Sequence, residues 1–391
     1  MSRIRMTACC GMPVLCCTLA ALAACGGEGP ADPDTGAVEV TAISSGDDVD
    51  GDGYLLQLDG TGSQGIGANA TGTLAEVPAG DHEVSLTGVQ VNCTVQGEHP
   101  RTVAVAAGET VEVQFDVACR DAVLGQIAFG SDRDGNSEIY VMNPDGSNQV
   151  RLTANEEHDR YPSVSPDGTR ILFRSNQGAG DAEIYVMNAD GSGQTNLTND
   201  PATDEDPSWS PDGTRIAFSS VRSGDFEIYG MNADGSEVVN LTNSLGSSEY
   251  FATWSPDGTR IAFTSDRAGD NDIYTMNADG SEQTPVAEGP AIEYGPAWSP
   301  DGSRLAFVTN RTGNFEIFVM SADGSDPVNL SNTPAATEDS PSWSRNGGRI
   351  AFTSDATGDN EVWLINADGT GAVNVSNSAG SDVPGAQTWG P

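Results

Sequence analysis

The stretch WSPDGTRIAF, residues 254–263, decides the fold of most of this chain. Variants of it recur every 44 to 46 residues, and their opening residues are Val164, Trp209, Trp254, Trp298, Trp343 and Trp389. A second marker of the form E-I-Y recurs with the same period and begins at Glu138, Glu183, Glu227, Asp272, Glu316 and Glu361. A fixed period of this length is typical of a propeller or a solenoid.

Each repeat carries the turns and apolar runs of four short strands. In the S-P-D-G sequence at 255–258, Pro presets φ at the second turn position and Gly tolerates a positive φ. Strands are predicted around this turn and at 261–263 and 272–276, with a second tight turn at 277–280 and a fourth strand at N-L-T sequences such as 240–242. Four strands per unit, six units and no helices predict an all-β fold with a six-bladed propeller over residues 124–391.

The two ends of this region each supply part of one blade. Leu124 leads into a second strand at Ile127, whereas Trp389 closes a first strand with no further strand after it. Pairing the two would leave no unpaired sheet edge. We therefore predict a shared closing blade.

The repeats resemble those of the TolB-type propeller family, whose blades carry a P-x-W-S-P-D-G-x-x-I-A-F core and an E-I-Y-V-M-N-A-D-G-S second half. The resemblance covers residues 124–391 and implies a protein of the bacterial cell envelope that binds protein partners. Three departures from the pattern are Val164 for Trp, the sequence SRNG at 344–347 for S-P-D-G, and TPV at 284–286 for N-L-T. They spare the strand pattern, so we expect the fold to be unaffected.

An export signal is predicted over residues 1–24, because Arg3 and Arg5 precede an apolar run that is too short to span a membrane. The sequence LAACG at 22–26 resembles the lipobox of bacterial lipoproteins, which implies cleavage before Cys25 and lipidation of that residue. Gly26 after the lipidated Cys favours the outer membrane within that family. Residues 25–36 are rich in Gly, Pro, Ala and Asp, which predicts a tether.

A small antiparallel β-sandwich module is predicted over residues 37–120, where apolar and polar residues alternate in runs such as 38–41, 82–86 and 110–117. The pattern resembles immunoglobulin-like or PEGA-like modules, which usually act as spacers. Four of the seven Cys leave with the signal and Cys25 takes lipid, so Cys93 and Cys119 remain as one predicted disulfide.

One acidic loop in this module has the carboxylate spacing of a calcium site. Asp48, Asp50 and Asp52 precede Asp59 at the twelfth position. Strand-like runs flank the loop where helices would be needed, and Asp replaces Glu at the last position. An acidic hairpin turn is the favoured interpretation, and the four residues are kept as weak metal candidates.

The composition limits the kinds of partner and chemistry. The formal charge is −40, from 57 acidic residues against 17 basic ones, all of them Arg. Such a surface repels nucleic acid and favours cations or basic protein segments. No G-x-S-x-G motif occurs, and His82, His99 and His158 are the only histidines, too few and too dispersed for a metal-dependent lyase.

We therefore expect no catalytic residue and no required cofactor, with calcium as the candidate ligand. The predicted function is a lipid-anchored interaction platform of the cell envelope, on the periplasmic or the surface side. The alternatives are a polysaccharide-acting enzyme on a propeller scaffold and a cation-binding structural protein of the surface.

An acidic residue stands five positions before the end of the first strand in five repeats. These residues are Asp159, Asp204, Glu249, Glu293 and Glu338, and the sixth repeat has Pro384 at this position. If the first strands line a central channel, the acids form a ring at its mouth. Two alternatives remain: each acid accepts hydrogen bonds from its own loop or a neighbouring blade, or the ring attracts a divalent cation or a partner's Arg or Lys.

Overall fold

A computed structural model describes residues 34–45, 53–89, 93–119, 125–178 and 181–390. These residues form 32 β-strands, so the predicted all-β class is confirmed. Within the described ranges, no helix is long and apolar enough to cross a membrane.

The N-terminal module consists of two four-stranded sheets over one core. Their strands are β1 (Thr35–Ser45), β2 (Tyr54–Leu58), β3 (Thr61–Ile66), β4 (Asn69–Pro78), β5 (Gly80–Thr87), β6 (Cys93–Val95), β7 (Arg101–Val105) and β8 (Thr110–Cys119). The sheet orders are β4-β1-β8-β6 and β3-β2-β5-β7. Val40 and Phe115 from one sheet pack with Leu56 and Val84 from the other.

One pair in this module departs from the antiparallel prediction, because β1 and β8 run parallel. The chain passes through the second sheet between them, so it can return to the first sheet at the same end, as a parallel pair requires. Cys93 and Cys119 face each other across β6 and β8 and form a disulfide with an S–S distance of 2.06 Å.

The remaining 24 strands fall into six groups of four, which we number as blades 1 to 6. Blade 1 combines the last strand of the chain with β9, β10 and β11, and blade 2 begins at β12. The first strands of blades 2 to 6 are β12 (Asp159–Val164), β16 (Asp204–Trp209), β20 (Glu249–Trp254), β24 (Glu293–Trp298) and β28 (Glu338–Trp343), and that of blade 1 is β32 (Asp382–Trp389).

The other three strands follow the same plan in every blade. The second strands are β9 (Ile127–Ser131), β13 (Arg170–Ser175), β17 (Arg215–Ser220), β21 (Arg260–Ser265), β25 (Arg304–Thr309) and β29 (Arg349–Ser354). The third are β10 (Glu138–Met142), β14 (Glu183–Asn188), β18 (Glu227–Asn232), β22 (Asp272–Asn277), β26 (Glu316–Ser321) and β30 (Glu361–Asn366). The fourth are β11 (Val150–Arg151), β15 (Thr195–Asn196), β19 (Val239–Asn240), β23 (Thr284–Ala287), β27 (Val328–Asn329) and β31 (Val373–Asn374).

The S-P-D-G turn joins the first and second strands through a fixed set of hydrogen bonds. In blade 4 the Gly258 N–H donates to the Ser255 carbonyl at 2.9 Å, and Gly258 has a φ of 70°. The Asp257 carboxylate accepts from the Ser255 hydroxyl at 2.6 Å and the Thr259 N–H at 3.0 Å. The turn chemistry predicted from the sequence is therefore confirmed.

The cores of the propeller lie between blades. One cluster joins Leu172 and Ile184 of blade 2 to Trp209, Phe218 and other residues of blade 3, all of them buried. A β-sheet of four short strands has two apolar faces that must be covered, so each blade depends on its two neighbours.

The shared closing blade is present. In β32, Asp382, Val383 and Pro384 pair with Ser131, Gly130 and Phe129 of β9, and Trp389 pairs with Ile127. The sheet order in this blade is β32-β9-β10-β11.

The strand β32 is two residues longer than the other first strands, and its register shifts between Pro384 and Trp389. The extra length forms a bulge toward blade 2. Gln387 pairs in parallel with Ser163 of β12, which joins blades 1 and 2 into one eight-stranded sheet. The Gln387 side-chain amide also donates to the Trp209 carbonyl of blade 3 at 3.1 Å.

This bulge generates a test of ring closure. A Cβ at Gly385 would lie 2.0 Å from the Pro162 carbonyl oxygen of blade 2, so Gly385→Ala must move one backbone away from the other. We expect a loss of about 1–3 kcal/mol in the free energy of unfolding, measured in urea. Gly130→Ala in the paired strand β9 is the matched control, since its nearest neighbour would be 3.8 Å away. Equal stability of the two variants would contradict the described closure.

Candidate functional site

The six first strands surround a central channel, since residues from five of them line a single cavity. The acids predicted at the channel mouth occupy the first position of these strands. Each is almost completely buried, and each pairs with a Ser or Thr at the end of the second strand. The pairs are Asp159 with Ser175, Asp204 with Ser220, Glu249 with Ser265, Glu293 with Thr309 and Glu338 with Ser354.

The sixth acid is Asp382, and the assignment of this position to Pro384 is wrong. Asp382 is fully buried and pairs with Ser131, as the other five acids pair with their Ser or Thr. Because β32 has two extra residues, its acid lies seven residues before Trp389, whereas the other acids lie five residues before the last residue of their strands. The correct signal was present in the sequence, because Asp382 follows Glu361 by 21 residues just as Asp204 follows Glu183.

A second buried acid lies beside each of these six. It is the residue that opens the third strand of the preceding blade. Burial raises the pKa of at least one carboxyl in each pair, and repulsion from its partner acts in the same direction. The pairs, which we call the junction carboxyls, are Glu138 and Asp159, Glu183 and Asp204, Glu227 and Glu249, Asp272 and Glu293, Glu316 and Glu338, and Glu361 and Asp382. Every boundary between two blades therefore contains two acids.

Arginine compensates part of this charge. The Arg222 guanidinium lies 2.8 Å from Asp204, and the equivalent Arg133, Arg267 and Arg311 lie 2.9, 3.2 and 2.8 Å from Asp382, Glu249 and Glu293. Each of these Arg stands two residues after the Ser or Thr that pairs with the acid. Arg151 contacts Glu138 at 2.7 Å.

The junction of Glu316 and Glu338 has no Arg within ion-pair distance among the described residues. Uncharged donors take that role. The Ile317 N–H donates to Glu338 at 3.2 Å and the Asn329 amide donates to Glu316 at 2.8 Å. The hydroxyls of Thr333 and Thr312 also donate to Glu338 and Glu316.

These contacts agree with one of the two roles expected for the acids, in which each accepts hydrogen bonds from its own loop or from a neighbouring blade. The backbone repeats the connection, since the N–H of each first-strand acid donates to a carbonyl of the preceding blade, as Asp204 does to Ala182 at 2.8 Å. Within the part of the chain that the structure describes, no group of three or more His, Cys, Asp or Glu is placed to hold a metal ion.

The channel end that is nearer to the junction carboxyls is lined by aromatic and acidic side chains. Tyr161, Asp206, Phe251, Tyr294 and Asp339 surround a cavity of about 40 Å³. Burial raises the pKa of Asp206 to about 7, and the neighbouring Glu205 acts in the same direction. Burial also raises the pKa of Asp339, against the hydrogen bond that its carboxylate accepts from the Ser340 N–H at 2.6 Å.

An uninterrupted row of aromatic rings leads away from this end of the channel. We call Phe226, Tyr250, Phe251, Tyr294 and Phe315 the aromatic ridge; successive ring centroids lie 4.8, 6.2, 6.1 and 5.6 Å apart. All five side chains are partly exposed. The rings of this surface come from three consecutive blades, so no single repeat in the sequence contains the whole row.

The opposite end of the channel is formed by the W-S-P-D-G turns. Five Trp and four Pro side chains, together with Arg345, line a cavity of about 340 Å³. Five of the six first strands are six residues long, which places the two ends of the channel about 17 Å apart.

The three histidines all bind backbone groups. His158 accepts from the Ser137 N–H at 3.1 Å, and His99 accepts from the Leu86 N–H at 3.0 Å. His82 contacts the Pro78 carbonyl and the Asp59 carboxylate, each at 2.8 Å. These contacts give each ring a structural role.

The weak calcium candidates and the lipidation site lie mostly outside the described residues, which exclude Asp48, Asp50, Asp52 and Cys25. Asp59 is described, and β2 separates it from Gly53. Its carboxylate accepts from the Glu83 N–H at 2.8 Å. This position at the far end of a strand favours the hairpin-turn interpretation.

Comparisons with known proteins agree with this geometry. The family model of the TolB beta propeller domain matches residues 177–252 and 281–388. A structure of putative TolB from Agrobacterium tumefaciens is similar with a TM-score of 0.53 and 27% identity, over 62% of this chain and 87% of that one.

Two curated relatives match shorter segments. The protein TolB homolog of Chlorobaculum tepidum is 35% identical over 81 residues, which are 20% of this chain and 19% of the relative. The Tol-Pal system protein TolB of Geobacter sulfurreducens is 44% identical over 52 residues, which are 13% of this chain and 12% of the relative. The matched segments thus span a fifth or less of these relatives.

The buried acids generate a prediction about pH. Burial is the largest cause of raised pKa values at Asp159, Glu183, Asp204, Glu227, Asp272, Glu338 and Glu361, and the pKa of Asp272 is raised to about 6. A group with a raised folded-state pKa stabilises the fold fully below its unfolded pKa and loses that contribution as pH rises through the folded value. We therefore expect the unfolding temperature to fall between about pH 5 and about pH 8.

At acidic pH, the pH dependence of the unfolding temperature comes from the turn aspartates. The Ser299 hydroxyl and the Ser303 N–H lower the pKa of Asp301 to about 2, so its contribution is lost only as pH falls from about 4 toward 2. Asp206→Asn should reduce the fall of the unfolding temperature between about pH 5 and about pH 8. Asp301→Asn is the control that should leave this fall unchanged. Calorimetry in about 0.5 M NaCl screens surface repulsion. An unfolding temperature that rises from pH 5 to pH 8 would contradict the prediction.

Proposed function

We propose that the propeller of this chain, which is of the TolB type, acts as a non-catalytic platform that binds a protein segment in the bacterial cell envelope. The observation that carries the proposal is the aromatic ridge beside the acidic end of the channel. Loops and strand ends on a rigid scaffold are a common place for recognition. The relatives named for TolB and the Tol-Pal system support an envelope protein as the partner.

The ridge provides the apolar part of such a surface. Tyr and Phe bury a large area at a small cost in side-chain entropy, and aromatic residues are enriched at the centres of interfaces. Leu245, in the loop before Tyr250, is fully exposed and extends the apolar surface. A row of rings that crosses three blades fits an extended segment that places several side chains along it.

The acids around the ridge indicate the charge of the partner. Asp206 lies beside Phe251, Asp339 lies beside Tyr294, and the exposed Asp225 precedes Phe226. With a net charge of −40, the chain attracts basic segments over a long range. The partner segment is therefore expected to combine apolar or aromatic residues with Lys or Arg.

The location follows from the sequence features that lie outside the described residues. The signal over residues 1–24 and the lipobox at Cys25 support export followed by lipid anchoring, with Gly26 favouring the outer membrane. The predicted tether of residues 25–36 is too long at its C-terminal end, because Thr35 and Gly36 already belong to β1 and pair with Pro78 and Val77 of β4. The residues between Cys25 and β1 would link the lipid to the sandwich module.

Lipid anchoring has a direct test. Labelled palmitate should enter the wild type and be absent from Cys25→Ala, because the thiol of Cys25 is the attachment point. Cys17→Ala is the matched control, since Cys17 lies within the signal and should not change labelling. Labelling of Cys25→Ala at the wild-type level would refute the anchor.

Partner binding at the ridge can be tested in cells. A photo-crosslinking amino acid at Tyr250 should yield a defined adduct with an envelope protein, and the same amino acid at Tyr185, on a third strand away from the channel, should not. For a peptide from the crosslinked segment, Phe251→Ala should weaken binding by about tenfold or more, about 1.4 kcal/mol. Tyr185→Ala serves as the control, and equal effects of the two substitutions would count against the ridge.

A further inference from the structure

The wide end of the channel differs from the partner-binding end in charge. Its lining contains five Trp and four Pro, and Arg345 is the only ionisable side chain in the lining. The cavity of about 340 Å³ falls in the size range of small-molecule sites, about 300–1,000 Å³. In a chain with a net charge of −40, a cavity whose lining carries a positive charge and no carboxylate is a distinct environment.

Arg345 occupies a position that holds Pro in four other blades, at Pro166, Pro211, Pro256 and Pro300. It is the second residue of the turn S-R-N-G of blade 6, which begins at Ser344. The turn itself is retained, since the Gly347 N–H donates to the Ser344 carbonyl at 2.8 Å. The substitution therefore adds a guanidinium to the channel and leaves the fold of the turn unchanged.

The contacts of this guanidinium leave its charge uncompensated. Nε donates to the Trp389 carbonyl and a terminal nitrogen donates to the Ser165 carbonyl, both at 3.3 Å. Both acceptors are neutral and both bonds are long. Arg345 takes part in no ion pair among the described residues, and the carboxylate of nearby Asp167 already accepts from the Ser165 hydroxyl at 2.6 Å.

The side chain of Arg345 is nevertheless exposed, so a ligand in the cavity can reach it. Arg binds carboxylates through two parallel N–H donors. The indole and pyrrolidine parts of the wall favour a flat apolar body, and Thr253, Ser299, Ser342 and Gln387 add uncharged polar groups. One guanidinium is the single positive charge that this lining offers to an anion. Inorganic phosphate, which carries nearly two charges and no apolar surface, is therefore a poor match.

We propose that this end of the channel is a binding site for a small organic monocarboxylate with an aromatic body, in which Arg345 pairs with the carboxylate and the Trp side chains contact the ring. The carboxylate can belong to a free metabolite or to the C-terminal residue of a peptide, since both present the same chemistry. The site lies at the opposite end of the channel from the aromatic ridge and does not depend on the partner proposed for the ridge.

The test uses the full chain and the quenching of Trp fluorescence, confirmed by calorimetry. Phenylacetate should bind saturably, and 2-phenylethanol, which lacks the carboxylate, should bind at least about tenfold more weakly. Inorganic phosphate should not compete. A dipeptide that ends in Phe, in its free and its amidated forms, distinguishes a C-terminal carboxylate from a free small molecule.

Three variants complete the test. Arg345→Gln should abolish phenylacetate binding, and Arg345→Pro should do the same while it restores the residue of the other blades and keeps the unfolding temperature. Arg349→Gln removes an equal charge from an exposed position outside the cavity and should bind normally. Absence of saturable phenylacetate binding, equal binding of the alcohol, or normal binding by both Arg345 variants would overturn the proposal.

Discussion

Two carboxyl groups are buried at every boundary between blades, and the hydrogen-bond donors around them offset part of the cost of that burial. An unpaired buried charge costs far more than a single hydrogen bond contributes, so the donors are part of the fold. They come from Arg in most junctions and from hydroxyl, amide and backbone groups at Glu316 and Glu338. The apolar clusters between blades provide the attraction, and the carboxyls restrict how two blades can be placed against each other.

The repeat pattern predicted most of the fold because its information is local. The turn at 255–258, the alternation around Ile261 and the spacing of the third strand depend on neighbouring residues only. The surroundings of Asp204 could not be predicted in the same way, because Glu183 belongs to the preceding blade. The spacing of Arg222 from Ser220 was nevertheless visible in the sequence and identifies the ion-paired junctions in retrospect.

The bulge in β32 shows where counting fails. Locating the acid by counting five residues back from Trp389 is correct only if all first strands have equal length. Strand β32 is two residues longer, so the count reaches Pro384 and misses Asp382. The aromatic ridge was not predicted for a different reason. Its rings come from three blades, and although Tyr250 and Tyr294 hold the same position in their repeats, only the ring geometry shows that they continue the row begun by Phe226. Both sites proposed for this propeller, the ridge and Arg345, lie where the repeats differ.

The closing blade also constrains the order in which the propeller can fold. Strand β9 precedes the five first strands of blades 2 to 6 in sequence, whereas its partner β32 follows all of them. The edge of β9 that pairs with β32 therefore stays unpaired until β32 is available. Each of those strands could pair with β9 and trap a smaller ring. The longer β32, whose Gly385 fits against Pro162 and whose Gln387 reaches blades 2 and 3, makes contacts that the other strands cannot copy. The irregular strand therefore carries contacts that distinguish it from the other first strands in a propeller built from nearly equivalent units.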